Sequence, residues 1–306
     1  MAIDMSTVKA ITHNNKDVTK IQDSLGNVLW QKGEEPSLEL FMSRSSYQYS
    51  LENGEWVTKT WSGLSSFNAT DIWTDGTDLY YSNGETHRVF NKSLSAWETK
   101  TWYGLTYFNG NYIWTDGTDI YYSNSTNQYV LDKATSTWSQ QSWGGTAPSS
   151  MTGNNMWTDG TDVYYSNGSV GYIFDKTTKT WSTSSKAVIV SSSNYGYAVW
   201  TDGTNLYFSN GTTQRVYNEN TQTWENKTWT GLTSFQGGRI FVYNNEYYAI
   251  PNSTPYYMYK LNIATSTWTE TTLGTNQPHN SNFAGNGAWN YGGRLCTVAT
   301  AYPRKS

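Results

Sequence analysis

Three pairs of carboxylates recur within one short phrase: Asp75 and Asp78, Asp116 and Asp119, and Asp159 and Asp162, each inside Thr-Asp-Gly-Thr-Asp. Paired acids could chelate a hard cation or divide acid and base roles across a glycosidic bond. Calcium, however, takes roughly six to eight oxygens, and Asp-Gly predicts a two-residue type I′ hairpin that supplies too few. A fourth copy replaces the second acid with Asn205. Hydrogen bonding within the turn is therefore the expected role. The histidines are His13, His87 and His279, and Cys296 is the single cysteine, so neither an internal disulfide nor a thiolate metal cluster is expected. These residue types predict no catalytic group, metal or cofactor.

The phrase itself is what recurs: IWTDGTDLYYSNG (72–84), IWTDGTDIYYSNS (113–125), MWTDGTDVYYSNG (156–168) and VWTDGTNLYFSNG (199–211). Trp73, Trp114, Trp157 and Trp200 follow one another at 41, 43 and 43 residues, and weaker copies at Phe241 and Trp289 bring the number to six. Downstream, a large apolar residue and a Trp enclose six others: Tyr49 and Trp56, Phe90 and Trp97, Leu131 and Trp138, Phe174 and Trp181, Tyr217 and Trp224, Leu261 and Trp268. Each unit reads as four strands, A like NYIWTD, B like DIYYSN, C like QYVLD and D like TWSQQSW, separated by turn formers. A period in the forties with four strands is a β-propeller blade. The composition agrees, with aromatics at 16% exceeding charged residues at 14%. The prediction is an all-β, six-bladed propeller. Its ring is closed by entering strands C and D (47–61) and final strands A and B (287–300), which share one blade. The repeated tryptophans are expected between blades, each worth roughly 4–6 kcal/mol at most if fully buried.

The aromatic-x6-Trp spacing, the apolar strand and the break that follows it resemble kelch repeats over residues 38–300. Ser-Asn-Gly or Ser-Asn-Ser stands where kelch repeats carry Gly-Gly after strand B, and the Gly-His and Trp-Asp pair of WD40 repeats is missing. The likeness implies the propeller and leaves function open, because the fold hosts enzymes and binding modules alike. Kelch-like copper oxidases draw on His and Tyr ligands, too few of which are histidines here. The Ser-x-Asp-x-Gly-x-x-Trp box of sialidases is absent, and acids on the variable loops reduce to Asp71 and Glu85. An oxidase or glycosidase is therefore the weaker reading. An intracellular kelch adaptor is the alternative binding role, though no helical period marks the partner domain such chains carry.

Residues 1–34 share nothing with the repeats. They read as three strands near Val8–Thr12, Val18–Gln22 and Val28–Gln31, followed by a 35–37 linker within GEEP and a ring over 38–306. ITHNNKDVTKIQDSLGNVLWQ resembles short N-terminal modules of bacteriophage structural proteins. That likeness implies a virion protein of head- or tail-fibre type. Residues 1–34 would anchor it to other virion proteins through Val18, Ile21, Val28, Leu29 and Trp30, and a homo-oligomer would be compatible. A small β-rich cap sealing one side of the ring is the other reading of this segment. No basic n-region or long apolar run predicts secretion or membrane insertion. A net charge of −4 argues against nucleic acid.

In a propeller the A–B and C–D turns share one face and the B–C and D–A loops the other. Here the first face is uniform, TDGTD with short C–D turns, whereas the D–A loops differ widely, as in YGLTYFNGN, GGTAPSSMTGNN and AVIVSSSNYGYA. Binding is expected where the repeats disagree. The candidate residues there are His87, Tyr103, Tyr107, Tyr195, Tyr197, Tyr256 and His279. Tyrosine rings among Asn and Ser suit a host-surface glycan, by stacking and hydroxyl contacts, or a protein receptor.

Overall fold

The computed structural model describes residues 11–13, 16–18, 20–22, 28–31, 40–45, 47–52, 54–167, 170–189, 196–237, 240–243, 246–251, 258–275, 288–290 and 293–294. The chain divides into two units, Met1–Leu38 and Glu39–Ser306. In the first, four strands form where three were expected. Ile11–His13 pairs with Lys16–Val18, and Lys20–Gln22 pairs with Val28–Gln31, as two separate hairpins. The expected strand Val18–Gln22 is thus divided, with Val18 opposite Ile11 and Ile21 opposite Trp30. Opposite Ile21 and Gln22 the register shifts and leaves Leu29 in a bulge. Two-stranded hairpins are marginal by themselves. The 35–37 linker lies outside the described residues.

The second unit is the six-bladed β-propeller. Blade 1 comprises strands A (Ile72–Thr74), B (Leu79–Asn83), C (Thr86–Asn91) and D (Ala96–Thr99), paired antiparallel in sequence order. Blades 2 to 5 repeat the order over 113–140, 156–183, 199–226 and 240–271. Strands B and C are interior, and in strand B Leu79, Tyr80, Tyr81 and Ser82 are all buried. Strand D is the outermost strand of the blade, and in blades 1 and 2 it buries only its Trp. The aromatic-x6-Trp residues prove to be cross-strand partners: Phe90 faces Trp97, and Leu131 faces Trp138.

The closing blade differs from expectation. Strand B is Leu40–Ser45, strand C is Tyr47–Glu52 and strand D is Glu55–Thr58, all from the N-terminal side; the C-terminal side contributes strand A, Ala288–Asn290. Gly293–Arg294 pairs with Ala288–Asn290 on its other side, so among the described residues the C-terminal side supplies two strands, as expected, but the place of strand B is taken by Leu40–Ser45 and the N-terminal side supplies three strands and not two. Trp289 faces Phe41 as Trp73 faces Tyr80, and Leu-Phe-Met-Ser at 40–43 is the counterpart of Leu-Tyr-Tyr-Ser at 79–82. The C–D connection is also two residues shorter in this blade, so Trp56 faces Leu51 and not Tyr49.

Adjacent blades meet backbone to backbone at two radii. At the outer rim each chain link runs parallel to strand D of the next blade: Trp97 N donates to Ser62 O (2.9 Å), Trp138 N to Tyr103 O (2.8 Å), Trp268 N to Thr230 O (2.8 Å) and Trp56 N to Thr275 O (3.0 Å). Gly63, Gly104, Gly145 and Gly231 follow with φ between +75° and +84°, and a methyl on any of them would overlap the carbonyl oxygen of Trp97, Trp138, Trp181 or Trp268. Nearer the axis, a one-turn 3-10 segment precedes strand A, as in Gly110–Tyr112, Gly153–Asn155 and Gly196–Ala198. There Gly110, Gly153, Gly196 and Gly237 lie against the carbonyl oxygens of Asp71, Tyr112, Asn155 and Ala198 of the blade before.

One junction departs from this scheme. Between blades 3 and 4, Ala187 packs over Gly171, Ser166 Oγ donates to Ala187 O (2.7 Å), and Trp224 donates its indole N–H to Lys186 O (3.0 Å).

Gly104 and Gly76 separate two effects. Both have positive φ, but Gly76 faces open space. G76A is expected to cost about 1–2 kcal/mol of left-handed strain. G104A should cost at least about 3 kcal/mol, because Trp138 must also move. Urea unfolding midpoints of the two variants test this; equal losses would refute the close-packed rim.

Candidate functional site

The repeated phrase forms a closed circuit within each blade. Trp73 stacks on Tyr80 (centroids 4.5 Å) and donates its indole N–H to Ser82 Oγ (3.1 Å). The Tyr80 hydroxyl donates to Asp75 Oδ2 (3.2 Å), while Asp75 Oδ1 accepts the backbone N–H groups of Thr77 and Asp78. Trp114, Trp157 and Trp200 repeat the arrangement with Tyr121, Tyr164 and Tyr207. The expected two-residue type I′ turn is therefore corrected. Four residues connect the strands, only the glycine has positive φ, and the aspartate side chain caps the loop.

The first carboxylate of each loop is bound from within its own blade, and in blades 2 and 3 a lysine adds to it. Lys179, on the C–D turn of blade 3, reaches Asp116 (2.5 Å), Asp119 (2.9 Å) and the Tyr121 hydroxyl (3.0 Å) of blade 2. Lys186 likewise joins Asp159 and Glu219. Burial works against the Asp116 charge, yet Lys179 and the N–H groups of Asp119 and Thr118 hold its carboxyl below the ordinary 3.8. Asp159 is held low in the same way, with burial opposed by the Asp162 N–H and Lys186. Burial also disfavours the Lys179 charge, but Asp116, Tyr121 and Asp119 outweigh it and raise the pKa. Among the described residues, no group of three or more His, Cys, Asp or Glu is placed to hold a metal ion. This face is a scaffold face.

The face formed by B–C and D–A loops carries the candidates, with two corrections. His87 is 5% exposed and lies in strand C, so it is no surface ligand group. Its ring stacks on Phe108 (4.4 Å) and its Nε2 hydrogen-bonds Thr106 O (2.9 Å). A carbonyl only accepts, so Nε2 carries the proton; Nδ1 is buried without a partner among the described residues. Burial holds the His87 pKa low. Gln48, Gln128 and Gln214 occupy the equivalent position, and Gln214 Nε2 donates to Gly211 O and Phe235 O. His87 is one version of a repeated loop tether, legible in the sequence once the C strands are aligned.

Tyr103 is 59% exposed but sits on the outer rim, bridged to Thr137 beside a C–D turn. The link descends along the neighbouring blade before it crosses to the axis, so early loop residues leave the variable face. Tyr107 does belong to that face. It is 69% exposed, with its ring 3.5 Å from where a Gly84 side chain would begin, and its loop is held by Phe108 N to Gly84 O (3.0 Å) and Gly84 N to Asn109 Oδ1 (2.9 Å). Tyr112, half-buried, was not singled out from sequence; its ring lies 6.2 Å from Tyr122, itself 6.3 Å from Tyr129. Tyr197 is half-buried in its 3-10 turn and packs against the blade 3–4 core. Asp71 is buried, and its Oδ2 accepts from Asn83 Nδ2 (3.0 Å). Tyr195, Tyr256 and His279 lie outside the described residues.

No protein-family model matches the sequence, and no curated protein does. Among solved structures, the chain is similar to YjhT, at 10% identity and a TM-score of 0.52, covering 74% of this chain and 92% of that one. It is also similar to the extracellular domain of a hybrid two-component system from B. thetaiotaomicron, at 12% identity and a TM-score of 0.46 over 86% of this chain. The chain spans 38% of that protein's length. At 10% identity the likeness to YjhT speaks for the fold alone.

Two outcomes follow from the geometry. H87Q should keep the loop tether and change stability by less than about 1 kcal/mol, whereas H87A removes the bond to Thr106 O and the buried ring stacked on Phe108 and costs about 1–3 kcal/mol; thermal melts compare them. Because Asp116 and Asp159 are held below 3.8 in the folded state, their contribution is complete above that pH and lost as pH falls through the depressed values. D116N should therefore lower the urea midpoint at pH 6 and narrow the gap between pH 6 and pH 3. An unchanged gap would refute the linkage.

Proposed function

We propose that this chain is a non-enzymatic virion protein of bacteriophage, of head- or tail-fibre type. Its N-terminal unit holds it to other virion proteins, and its kelch-like propeller presents the variable face to a host-surface glycan or receptor. The observation that carries the binding part is the contrast between faces: one closed by repeated Asp–Tyr–Lys contacts, the other built from dissimilar loops with Tyr107 standing exposed. The anchor part is supported by the division at Leu38 and by two small hairpins, which call for a partner to be stable.

Deleting residues 1–34 should leave the melting transition of the ring in place and remove the protein from purified particles. Loss of the ring transition would instead assign that segment to the propeller. Isolating particles and identifying co-purifying proteins at fixed stoichiometry checks the virion assignment directly; recovery only with host enzymes would favour the adaptor role.

A further inference from the structure

Comparison of the six links isolates one of them. Tyr107 stands where the other links carry Ser66, Ser150 and Ser234, and Tyr112 stands where the other 3-10 turns carry Asp71, Asn155 and Ala198. The Trp–Tyr–Asp circuit recurs with the repeat and these two tyrosines do not, although the Tyr112 ring also packs against the cluster between blades 1 and 2. They lie on the seam between blades 1 and 2. The rings of Tyr112 and Tyr129 flank Tyr122 at 6.2 and 6.3 Å, and burial raises the Tyr122 pKa against a hydrogen bond from Asn124, with smaller upward contributions from Tyr112, Tyr129 and Tyr107. The loop segments of this seam carry no cation, and the buried Asp71 carboxylate beneath them is already bonded to Asn83. Neither 103–112 (YGLTYFNGNY) nor 121–129 (YYSNSTNQY) contains an ionisable residue other than tyrosine, and the adjoining B–C turn adds only Glu85.

We propose that this seam is a binding site for a neutral saccharide: Tyr107 offers the ring on which a sugar face stacks, and the hydroxyls of Tyr112 and Tyr129 orient it. This rests on the glycan reading above and narrows it to a place and a charge class. An exposed tyrosine presents a flat amphipathic surface with little side-chain entropy to lose, which suits the apolar C–H face of a pyranose. Hydroxyl and amide groups around it match sugar hydroxyls without charge. An anionic sugar would meet no cation in these two segments and would meet Glu85 beside Gly84. The Arg88 guanidinium, on the same blade, is turned to the carbonyls of Gly63 and His87.

The test uses the full chain and four probes: hexasaccharides of glucose, mannose and N-acetylglucosamine, and hexagalacturonate as the acidic counterpart. Binding is measured by titration calorimetry for the wild type, Y107S and Y112N. Both substitutions install residues that other repeats carry at these positions, so an unchanged melting temperature is expected for Y107S and a small drop for Y112N, whose ring packs on the core cluster. At least one neutral probe should bind and lose at least tenfold in affinity in Y107S, with a smaller loss in Y112N, and hexagalacturonate should bind more weakly than that probe. Equal affinity of wild type and Y107S for a neutral probe overturns the seam while leaving a glycan-binding propeller. Preference for hexagalacturonate overturns the charge assignment. Failure of all four to bind overturns the saccharide proposal, and attachment of fluorescent protein to intact host cells then decides whether the surface-binding reading falls with it.

Discussion

Blades in this ring approach until the backbone of one touches the backbone of the next, and glycine is what permits that distance. At the rim, Gly63, Gly104, Gly145 and Gly231 lie under the carbonyls of the following Trp residues; near the axis, Gly110, Gly153, Gly196 and Gly237 lie under carbonyls of the preceding blade. Each contact sets both the separation and the tilt of a blade pair, so a side chain at one position would displace two sheets at once. The large aromatic clusters between blades, such as Trp73 with Trp102 and Trp138, fill a gap whose width these glycines have already fixed. Apolar burial drives closure; the glycines determine the geometry at which it stops.

Within that geometry the repeated phrase satisfies its own polar groups in blades 1 to 4, while the strand D indoles of Trp138, Trp181 and Trp268 are buried without a hydrogen-bond partner among the described residues. Trp73, Tyr80, Ser82 and Asp75 form a circuit within one blade, and Lys133 of the next blade adds to it at the Asp75 carbonyl without being its basis. A unit of this kind can be repeated with little change, since no copy depends on the identity of the next. The opposite face has no such requirement. Its loops need only reach from strand D to the next 3-10 turn and be tethered by the buried Gln or His of strand C, which leaves their exposed residues free to differ.

Much of this was legible in the sequence, because the phrase and the aromatic-x6-Trp spacing are direct images of strand pairing. What escaped had physical reasons. The Asp-Gly step suggests a two-residue turn by backbone preference, but the Asp75 carboxylate caps a longer loop. The closing strand Leu40–Ser45 lacks the Trp-containing half of the phrase, since that half lies some 250 residues away at Trp289. The Trp-x-Gly-Leu links at 61–64, 102–105 and 229–232 recur as clearly as the phrase, yet a glycine there reads as a turn unless the neighbouring blade is in view. For the candidate site, Tyr107 was predictable as an exposed departure from Ser. Tyr103 was misplaced because position along a loop does not give the loop's direction. Tyr112 was passed over because a 3-10 turn next to strand A reads as part of the strand.

Strand Leu40–Ser45 is an interior strand, hydrogen-bonded on one side to Tyr47–Glu52 and on the other to Ala288–Asn290. It is also the first strand of the ring, so tension from the N-terminal side arrives there. A pull along this strand shears two ladders together, and the load divides between a hairpin partner and a strand from the far end of the chain. Had an edge strand led into the ring, one ladder would have borne the whole force. The closing blade thereby makes the ring's entry point a mechanical grip, able to hold against traction that would peel a terminal hairpin.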